Sequence, residues 1–403
     1  MARLLTEYDF SDSLENNTIR LGELLSLDKI YVSESIRKLN SIVFTEKANN
    51  NRIFNHTGQN GSLRLHRLFV EVTDACNLKC IHCYKGASGH QHLSLKDYRE
   101  LLEYFEPSEF YRVDITGGEP FMNPDIIDIL SYTTEKGYMV NIFTNGTLIT
   151  RELAEKLAEY NIQHLYISLD SSSPEKHNMI RGNNDSFQKT IEAIRAVHEF
   201  GIPVIINATL FEDNLYELKS LIELSRSLGA SLRICPVLDA GNGKSVDKVS
   251  VDASIRALIM TLNEDFSINR ARTYVGPACG AGASMLYIHP NGDISICPTL
   301  SKSQLADLNI GNVHLDSYPT IMSKFVNLKN ARSIECGERD CVHYNYCGGG
   351  CRSRAFINQG SLDAPDIISC ELYDHLAGVM NRMEEEKKNE NHRITGIVGQ
   401  DTH

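Results

Sequence analysis

No stretch of this sequence stays apolar for the roughly twenty residues that a membrane-crossing helix needs, so no membrane partner is expected. The opening run, Met1-Ala-Arg-Leu-Leu-Thr-Glu-Tyr-Asp, is too short and too charged for a secretory signal, and a cytoplasmic chain is expected. Basic charge is also scarce. Lys and Arg number 40 against 52 Asp and Glu, a formal charge of −12. A nucleic-acid binder needs basic stripes to displace phosphate counterions, so no nucleic-acid partner is expected either. The cysteines do not come in an even number: there are 11. An odd count suits complete disulfide pairing poorly, and cytosolic proteins rarely keep disulfides. Ligation of metal or clusters is the better account of so many thiols. With 403 residues, 42% of them hydrophobic, the chain can bury a large core over two or three domains.

The cysteine spacings carry the chemistry. Cys76, Cys80 and Cys83 lie in Thr73-Asp-Ala-Cys76-Asn-Leu-Lys-Cys80-Ile-His-Cys83-Tyr84, a CxxxCxxC run followed by an aromatic residue. Three thiolates on one tight loop can hold three corners of a four-iron cube and leave the fourth iron open to a small molecule. A zinc site is the alternative. It wants four ligands in a closed tetrahedron, and His82, inside the loop, would strain it. The loop follows the apolar segment Leu68 to Thr73 and so opens at the C-terminal end of a strand.

With that loop, the sequence resembles the radical S-adenosylmethionine superfamily. The resemblance implies that the open iron chelates the amino and carboxylate groups of S-adenosylmethionine, with Tyr84 near the adenine. A second motif strengthens it. Thr116-Gly117-Gly118-Glu119-Pro120 follows the next strand, 34 residues beyond Cys83. Glycines at a strand end let a ligand approach the backbone, and Glu119 and nearby carbonyls can accept from an ammonium group. The motif matches the one that in this family contacts the methionine amino group. Ser168 and Asp170 end the fourth strand and are candidates for the ribose hydroxyls or the methionine carboxylate, although Asp170 also reads as a turn or cap residue. His177 and Arg181-Gly182 resemble the segment that follows in the peptide-modifying branch, where an arginine could pair with the carboxylate. Asn207, on the fifth strand, is a candidate adenosine contact.

Between Arg64 and Phe266, strand-like and helix-like segments alternate. The strands are expected over Leu68 to Thr73, Tyr111 to Thr116, Met139 to Thr144, His164 to Leu169, Pro203 to Leu210 and Ser231 to Val237. Helices are expected over Leu95 to Phe105, Pro124 to Lys136, Arg151 to Tyr160, Phe187 to Phe200 and Leu215 to Leu228. Gly137, Gly201 and Gly229 stand where left-handed C-caps belong. Such α/β alternation gives a parallel barrel or an open wound sheet; the resemblance selects a partial (β/α)6 barrel over 64–270. Residues 1–63 read either as a small winged-helix-like module, which holds a leader peptide in some peptide-modifying relatives, or as a packing extension. Residues 384–403 form a polar tail expected to fray.

Seven further cysteines lie in 271–383, and their array resembles the SPASM extension that binds auxiliary iron–sulfur clusters. The family pattern implies one cluster on Cys336, Cys341, Cys347 and Cys370 and another on Cys279, Cys297 and Cys351, hence three [4Fe–4S] clusters in all. Four residues between Cys336 and Cys341, where the family usually has two, put the geometry of the first set in doubt. The second set has three members, leaving an open iron, a non-cysteine ligand, or Cys235; a buried free thiol is the reading of Cys235 inside the sixth strand. The resemblance implies an enzyme that abstracts hydrogen with a 5′-deoxyadenosyl radical and installs a thioether or carbon–carbon cross-link in a ribosomally made precursor peptide. Flavodoxin or ferredoxin is the expected type of electron donor. A sulfatase-maturing, formylglycine-forming enzyme is the alternative within the family, against which stands Pro298 after Cys297. An electron-transfer or scaffold protein is the alternative outside it, and the GGEP motif would be surplus there.

Overall fold

In a computed structural model of the chain, the described residues are 65–247, apart from 66, 87 and 109, together with 281, 285–300, 309–329, 336, 341–342, 347, 349–371 and 373–374. The expected module at 1–63, the tail at 384–403, the boundary near 270 and Cys279 lie outside them.

Six parallel strands are laid down in chain order: β1 (Arg67–Glu71), β2 (Arg112–Thr116), β3 (Met139–Thr144), β4 (Ile162–Ser168), β5 (Val204–Leu210) and β6 (Ser231–Pro236). A doubly wound sheet reverses its strand order at a switch point; this one runs β1 to β6 without reversal, the winding of a barrel. It does not close among the described residues. The other neighbour of β1 is β7 (Met285–Ile288), also parallel, followed by antiparallel β8 (Asp293–Ser295) and β9 (Asn309–Asn312). The C-terminal region thus continues the barrel sheet from the edge of its first strand.

Alternation along the strands separates two faces. Leu68 and Val70, Val113 and Ile115, Val140 and Ile142, Leu165 and Ile167, and Val204 and Ile206 are buried in one core. The buried faces of α1 (Leu95–Phe105), α2 (Ile126–Glu135), α3 (Arg151–Leu157), α5 (Ser186–Glu199) and α6 (Leu218–Ser227) join that core. The intervening strand residues make the other face, and their rings meet across it. Phe69 packs 4.9 Å from Phe143 and 5.7 Å from Tyr287, and Phe143 stacks on Tyr166 at 4.3 Å. This aromatic row floors the barrel lumen.

The helices start and stop where local chemistry dictates. Ser94 and Thr150 cap α1 and α3 by accepting from the amides of Asp97 and Leu153. Gly137, Gly201 and Gly229 take φ of 80°, 76° and 65° after α2, α5 and α6. The single helix expected over Leu215 to Leu228 is instead a 3-10 turn, Glu212–Glu217, running into α6. The Asn214 side chain explains the tight turn. It donates to the carbonyls of Asp170 and Thr209 at 2.9 and 2.8 Å and accepts from Phe211 N at 2.9 Å, competing with helical bonding. A helix not expected, α4 (Pro174–Arg181), follows β4. Ser173 caps it, Pro174 opens it, and Gly182 at φ 66° ends it. In the C-terminal region lie α7 (Tyr318–Lys329) and α8 (Arg352–Gln359).

Candidate active site

The three-cysteine loop leaves the C-terminal end of β1, as expected, and is gripped from several sides. Val72 N donates to Thr116 O at 2.9 Å, Gly118 N to Thr73 O at 2.8 Å and Glu119 N to Ala75 O at 2.8 Å. These bonds explain the two glycines. A Cβ on Gly117 would stand 2.7 Å from Thr73 O, and one on Gly118 would run into the Ala75 carbonyl and come within 2.8 Å of Cys76 Cβ. What approaches the glycines on that side is the protein's own loop.

Glu119 is fully buried. One carboxylate oxygen accepts from Thr144 Oγ1 at 2.7 Å and Phe121 N at 3.2 Å, the other from Asn145 N at 2.7 Å. Burial pushes its pKa up to about 7 against these three donors. Glu119 thereby ties the GGEP turn to the end of β3. From there Asn145 Nδ2 reaches Asn77 Oδ1 in the loop, at 2.9 Å. After β6, Asn242 donates to Cys83 O from its amide at 2.9 Å and to Cys80 O from its side chain at 3.1 Å.

The far side of the loop rests on the end of α4. Lys79 N donates to Arg181 O at 3.2 Å and Ile81 N to Ile180 O at 3.0 Å. Asp170 and Arg181 face each other there, Arg181 Nε 2.7 Å from Asp170 Oδ2. Arg181 Nη1 donates towards Cys80 Sγ at 3.7 Å. His82 Nε2 lies 3.5 Å from the same Asp170 oxygen, and burial holds the His82 pKa down to about 4, so the imidazole is neutral. His177 Nδ1 accepts from Asp170 N at 3.2 Å.

Ser168 and Asn207 are register partners on β4 and β5, both half-buried and on the lumen face. Cys235 shares that face. Its Sγ lies 3.7 Å from Asn207 Oδ1; the thiol is free, as expected, but half-buried rather than buried, because residue alternation on β6 turns it to the lumen. Tyr84 is buried. It bonds Tyr287, and its hydroxyl is raised by burial first and then by Glu71, Cys83 and Cys297. The tyrosine after the third cysteine thus stands between the loop and the C-terminal cysteines.

Glu71, at the end of β1, gave no signal in the sequence. It pairs with Lys85, two residues past Cys83, and accepts from Tyr287 Oη at 2.7 Å; His289 Nδ1 lies at 3.0 Å. His289 Nε2 continues to Ser295 Oγ at 3.1 Å, two residues before Cys297.

Of the C-terminal cysteines, Cys336, Cys341, Cys347 and Cys370 gather together. Burial first, then the thiols of Cys336 and Cys347, Asp366 and Cys341 push the Cys370 thiol up to about 12. Cys341 N donates to Cys336 O at 3.4 Å, so the four-residue spacing still folds back on itself. Cys297 Sγ contacts Thr299 Oγ1 at 3.0 Å, and Thr299 donates to Ser353 at 2.7 Å, two residues beyond Cys351. Gly350, at φ 77°, would set a Cβ 2.6 Å from Asp366 Cβ. The residue packed against this glycine is therefore from the protein.

The donor set suits clusters. The described cysteines are free of disulfides. Thiols grouped on one short loop are the soft donor set that an iron–sulfur cube takes. The family profile described as Radical SAM superfamily matches residues 70–224, which contain the end of β1, the loop, the GGEP turn and β2 to β5. The chain belongs to the radical SAM superfamily. Membership brings S-adenosylmethionine and a four-iron cluster as cofactors.

Two curated relatives agree. The antilisterial bacteriocin subtilosin biosynthesis protein AlbA of Bacillus subtilis is 31% identical over 304 residues, 71% of this chain and 66% of that protein. The mycofactocin maturase MftC of Mycobacterium tuberculosis is 29% identical over 322 residues, 73% and 80% of the two chains. This chain thus spans just under two thirds of the first relative's length and four fifths of the second's. Among solved structures, Streptococcus suis SuiB bound to precursor peptide SuiA superposes with a TM-score of 0.61 at 18% identity, covering 87% of this chain and 86% of that one. The anSMEcpe structure with bound AdoMet gives 0.63 at 17%, covering 80% and 99%. At these identities the superpositions bear on the fold, which is the radical SAM partial barrel. No helix among the described residues is long and apolar enough to cross a membrane.

Proposed function

We propose that this chain is a peptide maturase, which cross-links a ribosomally made precursor by hydrogen abstraction with a 5′-deoxyadenosyl radical. The observation that carries the reading is the three-cysteine loop, bonded backbone to backbone into the C-terminal ends of the barrel strands beside the half-buried Ser168 and Asn207. The similarity to a bacteriocin biosynthesis protein and a mycofactocin maturase supports a peptide substrate.

Cys76, Cys80 and Cys83 would hold the cluster. Loaded there, with one iron free of protein ligands, it would supply the electron that cleaves S-adenosylmethionine to methionine and the radical. Gly117 and Gly118 present their backbone at the strand end, and Glu119 braces that turn. Ser168 would bond the ribose hydroxyls or the methionine carboxylate, Asn207 would touch the adenosine, and Tyr84 would close the side towards the C-terminal region. Asp170 and Arg181 are engaged with each other and with the loop. The aromatic floor of Phe69, Phe143, Tyr166 and Tyr287 excludes water beneath the radical. Cross-linking removes two hydrogens from the peptide. One leaves as an atom to form 5′-deoxyadenosine, the other as a proton, and one electron needs an acceptor. The cysteine sets Cys336, Cys341, Cys347 and Cys370, and Cys279, Cys297 and Cys351, are proposed to bear the centres that take it. A flavodoxin or ferredoxin would supply the initiating electron, and segment 1–63 would grip a leader peptide. Formylglycine formation is not favoured: the anSMEcpe likeness is one of fold, and Pro298 follows Cys297.

Co-expression with a short candidate precursor, followed by tandem mass spectrometry, tests the reading. A peptide lighter by a hydrogen pair, with fragments joined across two residues, is expected. Cys297→Ala and Cys351→Ala should block that product while 5′-deoxyadenosine still forms. Conversion of a single Ser or Cys to an aldehyde would overturn it.

A further inference from the structure

We infer that Arg181 is a positioning residue for the iron–sulfur centre that Cys80 helps to hold, and that with Asp170 it sets the reduction potential of that centre. The inference rests on the reading of the three cysteines as cluster ligands and adds a role for the charged pair behind them.

Three observations carry it. The Cys80 segment is stitched to the end of α4 on both sides, through Lys79 N to Arg181 O and Ile81 N to Ile180 O. Gly182, at φ 66°, lets the chain pass there: a Cβ would stand 2.6 Å from Lys79 O. The Arg181 guanidinium is then aimed. Its side chain is 9% exposed, its Nε is 2.7 Å from a fully buried Asp170 oxygen, and its Nη1 points at Cys80 Sγ, 3.7 Å away. Asp170 cannot swing to follow it, because its other oxygen accepts from Thr209 N at 2.9 Å and its carbonyl from Asn214 at 2.9 Å. His82 Nε2 and His177 Nδ1 also face Asp170, 3.5 Å from its Oδ2 and 3.2 Å from its amide.

A guanidinium fixed against a ligand sulfur favours the reduced, more negative cluster in two ways. It donates a hydrogen bond to the sulfur and supplies an opposing charge in a dry site. Asp170 tempers the charge while fixing the direction. The two partners therefore act on the potential with opposite signs. A purely mechanical prop would move it the same way whichever partner was removed.

The test is an anaerobic redox titration of the reconstituted full chain, without S-adenosylmethionine, followed by the electron paramagnetic resonance of the reduced cluster, with iron and sulfide assayed in parallel. Arg181→Gln is expected to lower the reduced fraction at fixed potential about tenfold, a fall of about 59 mV for one electron. Asp170→Asn should shift it upwards. Arg181→Lys keeps the charge but loses the rigid fork that sets Nε on Asp170 and Nη1 on Cys80, so its potential should fall between Arg181→Gln and the parent. An unchanged potential in Arg181→Gln with iron retained would overturn the inference, as would shifts of one sign in both Gln and Asn variants. Loss of the cluster from all three variants would also overturn it, making Arg181 a prop alone. An unchanged potential with loss of the spectral response to S-adenosylmethionine would mark Arg181 as a cofactor contact instead. A parent chain that binds no iron and sulfide at all would fail the underlying cluster reading, not this inference.

Discussion

Glu71 shows how one side chain can join two parts of the molecule. Burial alone would raise its pKa, but His289, Lys85 and Tyr287 outweigh burial and hold the carboxyl at about 2, against 4.5 when free. Between those values the folded chain binds fewer protons than the unfolded one. The stabilisation is therefore complete above pH 4.5 and is lost as pH falls towards 2. Glu71→Gln removes a buried carboxylate that pairs with Lys85 and bonds Tyr287 and His289, and should cost about 3–5 kcal/mol at pH 7. Thermal unfolding of the iron-free chain at a series of pH values checks this. The gap to the parent should narrow below pH 4.5, and a gap independent of pH would contradict the assignment. None of this was legible in the sequence, because a glutamate on a strand looks solvent-facing until its partners are known, and Tyr287 and His289 lie 216 and 218 residues away. Cys76, Cys80 and Cys83 were legible because their grouping is local. Asp170 and Arg181 were found as residues of interest, but the contact that engages them, with a thiol 101 residues from Arg181, is tertiary.

At the scale of elements, β3 and α1 fall where periodicity places them, Met139–Thr144 and Leu95–Phe105, since alternation and amphipathic spacing are strong there. α4 went unread although Ser173-Pro174 and Gly182 are start and stop signals, because its eight residues are too short for a periodic stripe to stand out. β7 to β9 went unread for the same reason, at three or four residues each. The glycines of GGEP were read as room for a ligand, and the structure gives their Cβ side to the cysteine loop. That difference makes a prediction. Gly118→Ala must push the loop off β2, and should cost about 1–3 kcal/mol and most of the iron bound at the loop. Gly201→Ala, strained at φ 76° but with nothing within 4 Å of its Cβ, should cost about 1 kcal/mol and keep its iron. Unfolding curves and iron assays on both variants decide it, and equal iron retention would contradict the clamp.

Over the whole molecule, strand order converts six local elements into one site. Laid down without reversal, β1 to β6 bring their C-terminal ends together. The loops after β2, β3 and β6 and the end of α4 then all grip the three-cysteine segment that follows β1. β7 and β8 extend the same sheet towards Cys297, so the loop and the C-terminal cysteines are tied through Lys85, Glu71, His289 and Ser295. The alternation of strands and helices made the barrel readable. The β1–β7 junction depends on a return of the chain after more than 200 residues and was not. The central claim, that Cys76, Cys80 and Cys83 hold an open-iron cluster that cleaves S-adenosylmethionine, is tested most directly by spectroscopy of the reduced, anaerobically reconstituted chain. Adding S-adenosylmethionine should change the paramagnetic resonance signal and yield 5′-deoxyadenosine, and replacing all three cysteines with Ala should remove both responses while iron at the C-terminal cysteines persists. A chain that binds zinc with almost no sulfide, or a triple variant that still forms 5′-deoxyadenosine, would contradict it.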